Sequence, residues 1–117
     1  MYDDGFVTPV PKAKLAAYKK QARQMGAVFM KFGALSFVEN IADDVKPGKL
    51  TSFPQSVKLK ADEVVMFSWI AFASKAERNK AWKHVMKDPA MANFDPKTMP
   101  FDAKRMFFGG FKTIVEM

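Results

Sequence analysis

Apolar and polar positions repeat with two different periods along this chain, and each change of period marks a new element. Tyr2 to Val10 reads as a first strand, with Gly5 inside it and Pro9 near its end. Leu15, Tyr18, Ala22, Met25, Phe29 and Phe32 then step by three and four residues, the single apolar stripe of a helix. Pro11 suits the first turn of that helix, where its missing N–H costs nothing. Gly33 suits the residue that closes it. Ala34 to Ala42 predicts a second strand, in which Leu35, Phe37 and Ile41 share one face with Glu39. The third, Glu63 to Phe72, carries Val64, Met66, Ile70 and Phe72 on one side and Val65, Phe67, Trp69 and Ala71 on the other. Only Ser68 interrupts it, and a strand apolar on both faces is a central one, covered on both sides.

Ser74-Lys75-Ala76-Glu77 is a capping box opening a second helix. Its expected inner face is Arg78, Ala81, Trp82, Val85 and Met86, and Asp88-Pro89 ends it. Met106 to Glu116 is the last strand, relaxed by Gly109-Gly110. The long connection from Asp43 to Lys60 holds a turn at Lys46-Pro47-Gly48-Lys49 and a short helical turn begun by Ser52 and Pro54. Loops of that length are often functional covers. Pro89 to Phe94 forms one more helical turn; Asp95 to Asp102 is irregular, and its part from Asp95 to Pro100 is placed to fold over a pocket mouth.

Strand–helix–strand read twice within 117 residues implies one α+β domain over residues 1–117: a four-stranded antiparallel sheet with two helices on one face. One helical layer covers one sheet face. The second apolar face needs its own cover, and the expected cover is a second copy, giving a homodimer through the sheet faces.

The net charge of +7 invites a nucleic-acid reading. The positions of the charges oppose it. Lys12, Lys14, Lys19, Lys20, Arg23 and Lys31 follow the first helix, and Lys75, Lys80, Lys83 and Lys87 the second, mostly opposite the apolar stripes. They read as solvated helix surfaces. The stretch Arg105 to Phe111 has the aromatics of a sheet-based RNA reader without its interleaved basic and glycine positions.

Cysteine is absent, which excludes disulfides, thiolate catalysis, zinc-thiolate sites and iron–sulfur clusters. The acidic opening MYDDGF is no signal peptide, and no apolar run approaches the roughly 18 residues of a membrane helix, so a cytoplasmic protein is expected.

The segments DGFV (Asp4 to Val7), FGALSFVE (Phe32 to Glu39), DDVKPGKLTSF (Asp43 to Phe53), EVVMFSWI (Glu63 to Ile70), DPAM (Asp88 to Met91) and MPFDAKRMFFGGF (Met99 to Phe111) resemble the YbaA-like family of small bacterial proteins, a domain of unknown function. The resemblance covers essentially the whole chain. It implies a ferredoxin-like βαββαβ subunit of the dimeric α+β barrel superfamily, whose members include cofactor-free monooxygenases, dehalogenating or isomerising enzymes, and proteins that only bind small molecules. No catalytic residue comes with it. Ala103, Phe108 and Asn79 depart from the family pattern, where glycine, tyrosine and aspartate are usual.

Candidate chemistry is sparse. His84 is the only histidine, on the solvent side of its helix, and forms no metal cluster; no metal or cofactor is expected. Glu39 is a carboxylate on an apolar face; buried, it has a raised pKa, as a general base often does, whereas on an edge strand it reaches water or a lysine. Ser68 either satisfies its hydroxyl on backbone or lines a cavity. Arg78, centred on the second helix's apolar stripe, either pairs with a carboxylate at the sheet or holds an anionic ligand. Arg105 belongs to a polar knot with Asp102 and Lys104 before the last strand. Glu39, Ser68, Arg78 and Arg105 are thus the polar groups expected to border a small-molecule site between sheet and helices. A non-catalytic binding or stress-related module with the same cavity is the competing reading.

Overall fold

The computed structural model describes residues 1–117, the side chains of Asn93 and Pro96 apart. Its strands are β1 (Tyr2–Pro11), β2 (Ser36–Ile41), β3 (Glu63–Phe72) and β4 (Phe107–Lys112), and its helices are α1 (Leu15–Lys31), α2 (Phe53–Ser56) and α3 (Lys75–Lys87). They build an α+β fold with one four-stranded sheet in the order β2-β3-β1-β4. Every neighbouring pair is antiparallel. β3 is central, as its two apolar faces require.

Pro11 does not open the helix. Its extended backbone (φ −57°, ψ 133°) ends β1, and a 3-10 turn at Lys12–Lys14 precedes α1. Gly33 follows α1 with φ +110°, a conformation that an L side chain resists. Ser74 Oγ accepts from Glu77 N–H at 3.1 Å, as a cap should. Ser52 Oγ likewise accepts from Gln55 N–H at 3.2 Å, with Pro54 in the first turn of α2.

The last strand is shorter than the apolar run suggests. β4 sits at the sheet edge and pairs only with β1, whose first residue, Tyr2, lies opposite Lys112; one further bond, Thr113 N–H to Met1 O at 3.0 Å, ends the pairing. Two apolar assignments also shift. Leu35 precedes β2 and is exposed, and Met86 is turned to solvent because α3 buries the Ala81–Val85 line instead.

Both long helices cover the sheet face that carries Phe6, Phe37, Ile70 and Phe72, where Phe29, Ala81 and Val85 close the main core. Gly26 allows α1 its close approach there, since a Cβ at that position would stand 2.8 Å from the Phe37 ring. On the opposite face Val57, just after α2, packs on Val7 and Val65, so the long connection covers part of the sheet. Phe53 meets Phe67 edge-on at 5.6 Å. Phe67, Phe107 and Phe111 on that face remain 40%, 46% and 64% exposed.

Candidate functional site

β2 and β3 are in register at Glu39 and Ser68, which places both side chains side by side on the helix-covered face. Helical spacing then brings Tyr18 of α1 over them. Its hydroxyl donates to Glu39 Oε1 at 2.7 Å and lies 3.0 Å from Oε2. This pair sits in the wall of a cavity of about 260 Å³ between sheet and helices. Phe6, Phe29, Phe37, Ile70, Trp82 and Phe108 supply most of the apolar wall. Met91, Met99, Phe101 and Met106 close it from the chain after α3; of the expected cover, Asp95 to Pro100, Met99 takes part. Gln21 Nε2 donates to Met99 Sδ at 3.0 Å and ties that cover to α1. Phe101 packs edge-on against Tyr18 at 5.9 Å.

Burial pushes the Glu39 carboxyl above its ordinary value, while hydrogen bonds from Tyr18 and Ser68 pull it back down without cancelling the rise. Burial, followed by the Glu39 charge and the hydrogen bond to it, holds the Tyr18 phenol above its usual range. A carboxylate that favours its proton, beside a phenol that keeps its own, can accept a proton or a hydrogen bond from a molecule in the cavity. Both readings of Glu39 meet here. β2 is an edge strand, yet the side chain turns inward, lining the cavity and also an outer groove between α1 and β2.

Of the four residues singled out by sequence, Glu39 and Ser68 come together in the cavity wall; Arg78 and Arg105 stand outside it. Arg78 Nε lies 3.1 and 3.0 Å from the two oxygens of Asp4, and its Nη2 donates to Oδ1 at 2.8 Å. Asp4 is fully buried, and Trp82 Nε1 donates to its other oxygen at 2.7 Å. Arg78 also stands over the Tyr2 ring. Arg105 grips Glu63 with two nitrogens at 2.8 and 2.6 Å, donates to Asp102 at 2.8 Å, and reaches the carbonyls of Val57 and Lys58. Both arginines anchor structure. Phe108, one of the departures from the resembled family's pattern, stacks on Phe6 in the cavity wall, so that wall carries no phenol at this position.

Tyr18 is the polar group of the cavity wall that periodicity alone hides. It counted as one more apolar position in the α1 stripe, and its partner lies 21 residues away. Thr8, on β1, is a second missed polar group of the wall. His84 is exposed on α3, stacked against Phe32 at 5.3 Å. Among the described residues no group of three His, Asp or Glu side chains gathers as a metal site. No described helix is long and apolar enough to cross a membrane.

The family model described as Protein of unknown function (DUF1428) matches residues 1–103. Over 115 residues the chain is 46% identical to the Uncharacterized protein YbaA of Escherichia coli (strain K12), across 98% of this chain and 97% of that one. It is 46% identical over the same span to the protein of that name in Shigella flexneri. Among solved structures, an uncharacterized NIPSNAP domain protein from Burkholderia xenovorans superposes with a TM-score of 0.54, covering 97% of this chain and 94% of that one at 12% identity. A likeness at that identity speaks for the fold alone.

Proposed function

The chain belongs to the DUF1428 family, and from that footing we propose that it binds a small organic molecule between sheet and helices, as a ferredoxin-like subunit of a dimeric α+β barrel. The observation that carries the reading is the cavity itself: about 260 Å³ of apolar space with the Tyr18–Glu39 pair in its wall. A concave, mostly apolar site with few polar groups is the usual form of a ligand pocket. Screening a metabolite and fragment library by thermal shift tests it. Binders are expected whose stabilisation disappears when Ala22, in the wall, is replaced by tryptophan to fill the space. Binders that stabilise the filled variant equally would place the site elsewhere, and a screen without binders would remove the reading.

A proton-transfer enzyme is the second reading, favoured by one observation, the raised pKa of a carboxyl held against a phenol inside that cavity. Turnover of a bound molecule that is lost in Glu39→Gln, with binding retained, separates catalysis from binding alone.

Pairing through the outer sheet face is supported by the exposure of Phe67, Phe107 and Phe111 on one surface. Monomeric proteins rarely leave apolar patches above a few hundred Å² open. Light scattering coupled to gel filtration is expected to give about twice 13.2 kDa at micromolar concentration, and Phe67→Lys to halve it. A parent protein running as a monomer would end the dimer proposal.

A further inference from the structure

The wall of the inner cavity carries, among the described residues, a single carboxyl group and no basic side chain. Among the described residues lining it, the polar groups are Thr8, Tyr18, Gln21, Glu39 and Ser68, with no lysine or arginine. Both arginines that sequence periodicity put near it are spent on Asp4 and Glu63. An anionic ligand would therefore meet the Glu39 charge with nothing to offset it.

The carboxylate has spare capacity. Two carboxylate oxygens offer about four acceptor sites. Tyr18 donates one hydrogen across them, at 2.7 and 3.0 Å, and Ser68 takes one more site, which leaves about two of the four open. The remaining surface is rings and thioethers: Phe6 stacks on Phe108 at 5.4 Å, and Phe29 meets Trp82 edge-on at 4.9 Å and stacks on Phe37 at 6.0 Å. Such walls favour a flat ring, which offers them a face or an edge. Volume sets the scale: an apolar cavity of about 150 Å³ admits benzene, and this one is about 260 Å³.

On the small-molecule reading above, we infer that the ligand is a neutral, flat molecule of one or two rings. It carries one O–H or N–H donor, seated on the Glu39 carboxylate beside the Tyr18 hydroxyl. The ring packs among the phenylalanines while the donor fills an acceptor site that Tyr18 and Ser68 leave open.

Four probes of one shape test this by isothermal titration calorimetry on the full chain: 2-naphthol, 2-methylnaphthalene, 2-naphthoate and 2-naphthylmethylamine. 2-Naphthol is expected to bind once per chain. 2-Methylnaphthalene, with a methyl in place of the hydroxyl, is expected to bind about tenfold or more weakly, the usual worth of a hydrogen bond to a charged group. In Glu39→Gln that preference for naphthol should shrink, with the melting curve confirming a folded protein. Equal binding of naphthol and methylnaphthalene would overturn the donor assignment while leaving the cavity reading in place. Tighter binding of the naphthoate or of the ammonium ion would overturn the neutral-ligand assignment in the same way. No binding by any of the four would count against this ligand class; with library binders also missing, the cavity reading falls too.

Discussion

Arg78→Ala is expected to destabilise the protein by ~3–5 kcal/mol, the usual effect of removing one partner of a buried ion pair. Asp4 has 0% exposure, so without the guanidinium its charge stays inside the fold, held only by the Trp82 indole N–H. At roughly 4–8 °C per kcal/mol for a small domain, the melting temperature should fall by about 15 °C or more. Lys83→Ala, on the exposed side of the same helix, should stay within about 0.5 kcal/mol of the parent. Changing both partners, Asp4→Asn with Arg78→Met, should recover much of the loss, because no charge is then left buried. Differential scanning calorimetry of the four proteins checks the set. An Arg78→Ala protein melting within about two degrees of the parent would leave the guanidinium without a structural task. The alternative sequence reading, an anion held by Arg78, would then return.

The contrast between the two arginines and Glu39 shows what periodicity conveys. Apolar spacing identified β1, α1, β3 and α3 because each buries a regular stripe, and the two-sided pattern of β3 placed it inside the sheet. The family resemblance rested on longer segments and is borne out by the 46% identity over nearly the whole chain. Spacing also put Glu39 on an apolar face and Arg78 on an apolar stripe. It assigns a face, however, and not a partner. Asp4 lies 74 residues from Arg78, and Glu63 lies 42 residues from Arg105. Whether such a group is free for a ligand depends on contacts that only the folded chain makes.

Tyr18 was hidden for a different reason. Its ring belongs to the stripe, so the side chain scored as apolar, and the hydroxyl acquired meaning only when β2 brought Glu39 beneath it. The boundaries that moved have local causes. β4 fades out at the first residues of β1, its last bond being Thr113 N–H to Met1 O, and Leu35 lies at the exposed end of the edge strand β2 although its N–H already donates to Ala71 O. A chain read one element at a time carries neither fact.

Stability is expected to peak in mildly acidic solution, because two carboxylates titrate with opposite sign. Glu39 is raised by burial above its ordinary 4.5. Its contribution is fully present below that ordinary value and is lost as pH rises through the folded one. Glu63 is lowered, first by its hydrogen bonds from Arg105, beneath the same ordinary 4.5. Its contribution is present above that value and is lost as pH falls through the folded one. Acidifying from neutral therefore first strengthens the fold through Glu39 and then, below about pH 4.5, weakens it through Glu63. Asp102, also lowered by Arg105, acts in the same direction as Glu63 from a more exposed position. Glu39→Gln should flatten the neutral limb alone. Arg105→Ala should cost ~3–5 kcal/mol at neutral pH, since Glu63 then stays buried without its counter-charge. The deficit should shrink as acid protonates that carboxyl, so the acid limb flattens or reverses. Chemical denaturation between pH 3 and 7 on the three proteins provides the profile. An Arg105→Ala curve running parallel to the parent across that range would mean that the Glu63 pairing does not govern acid stability.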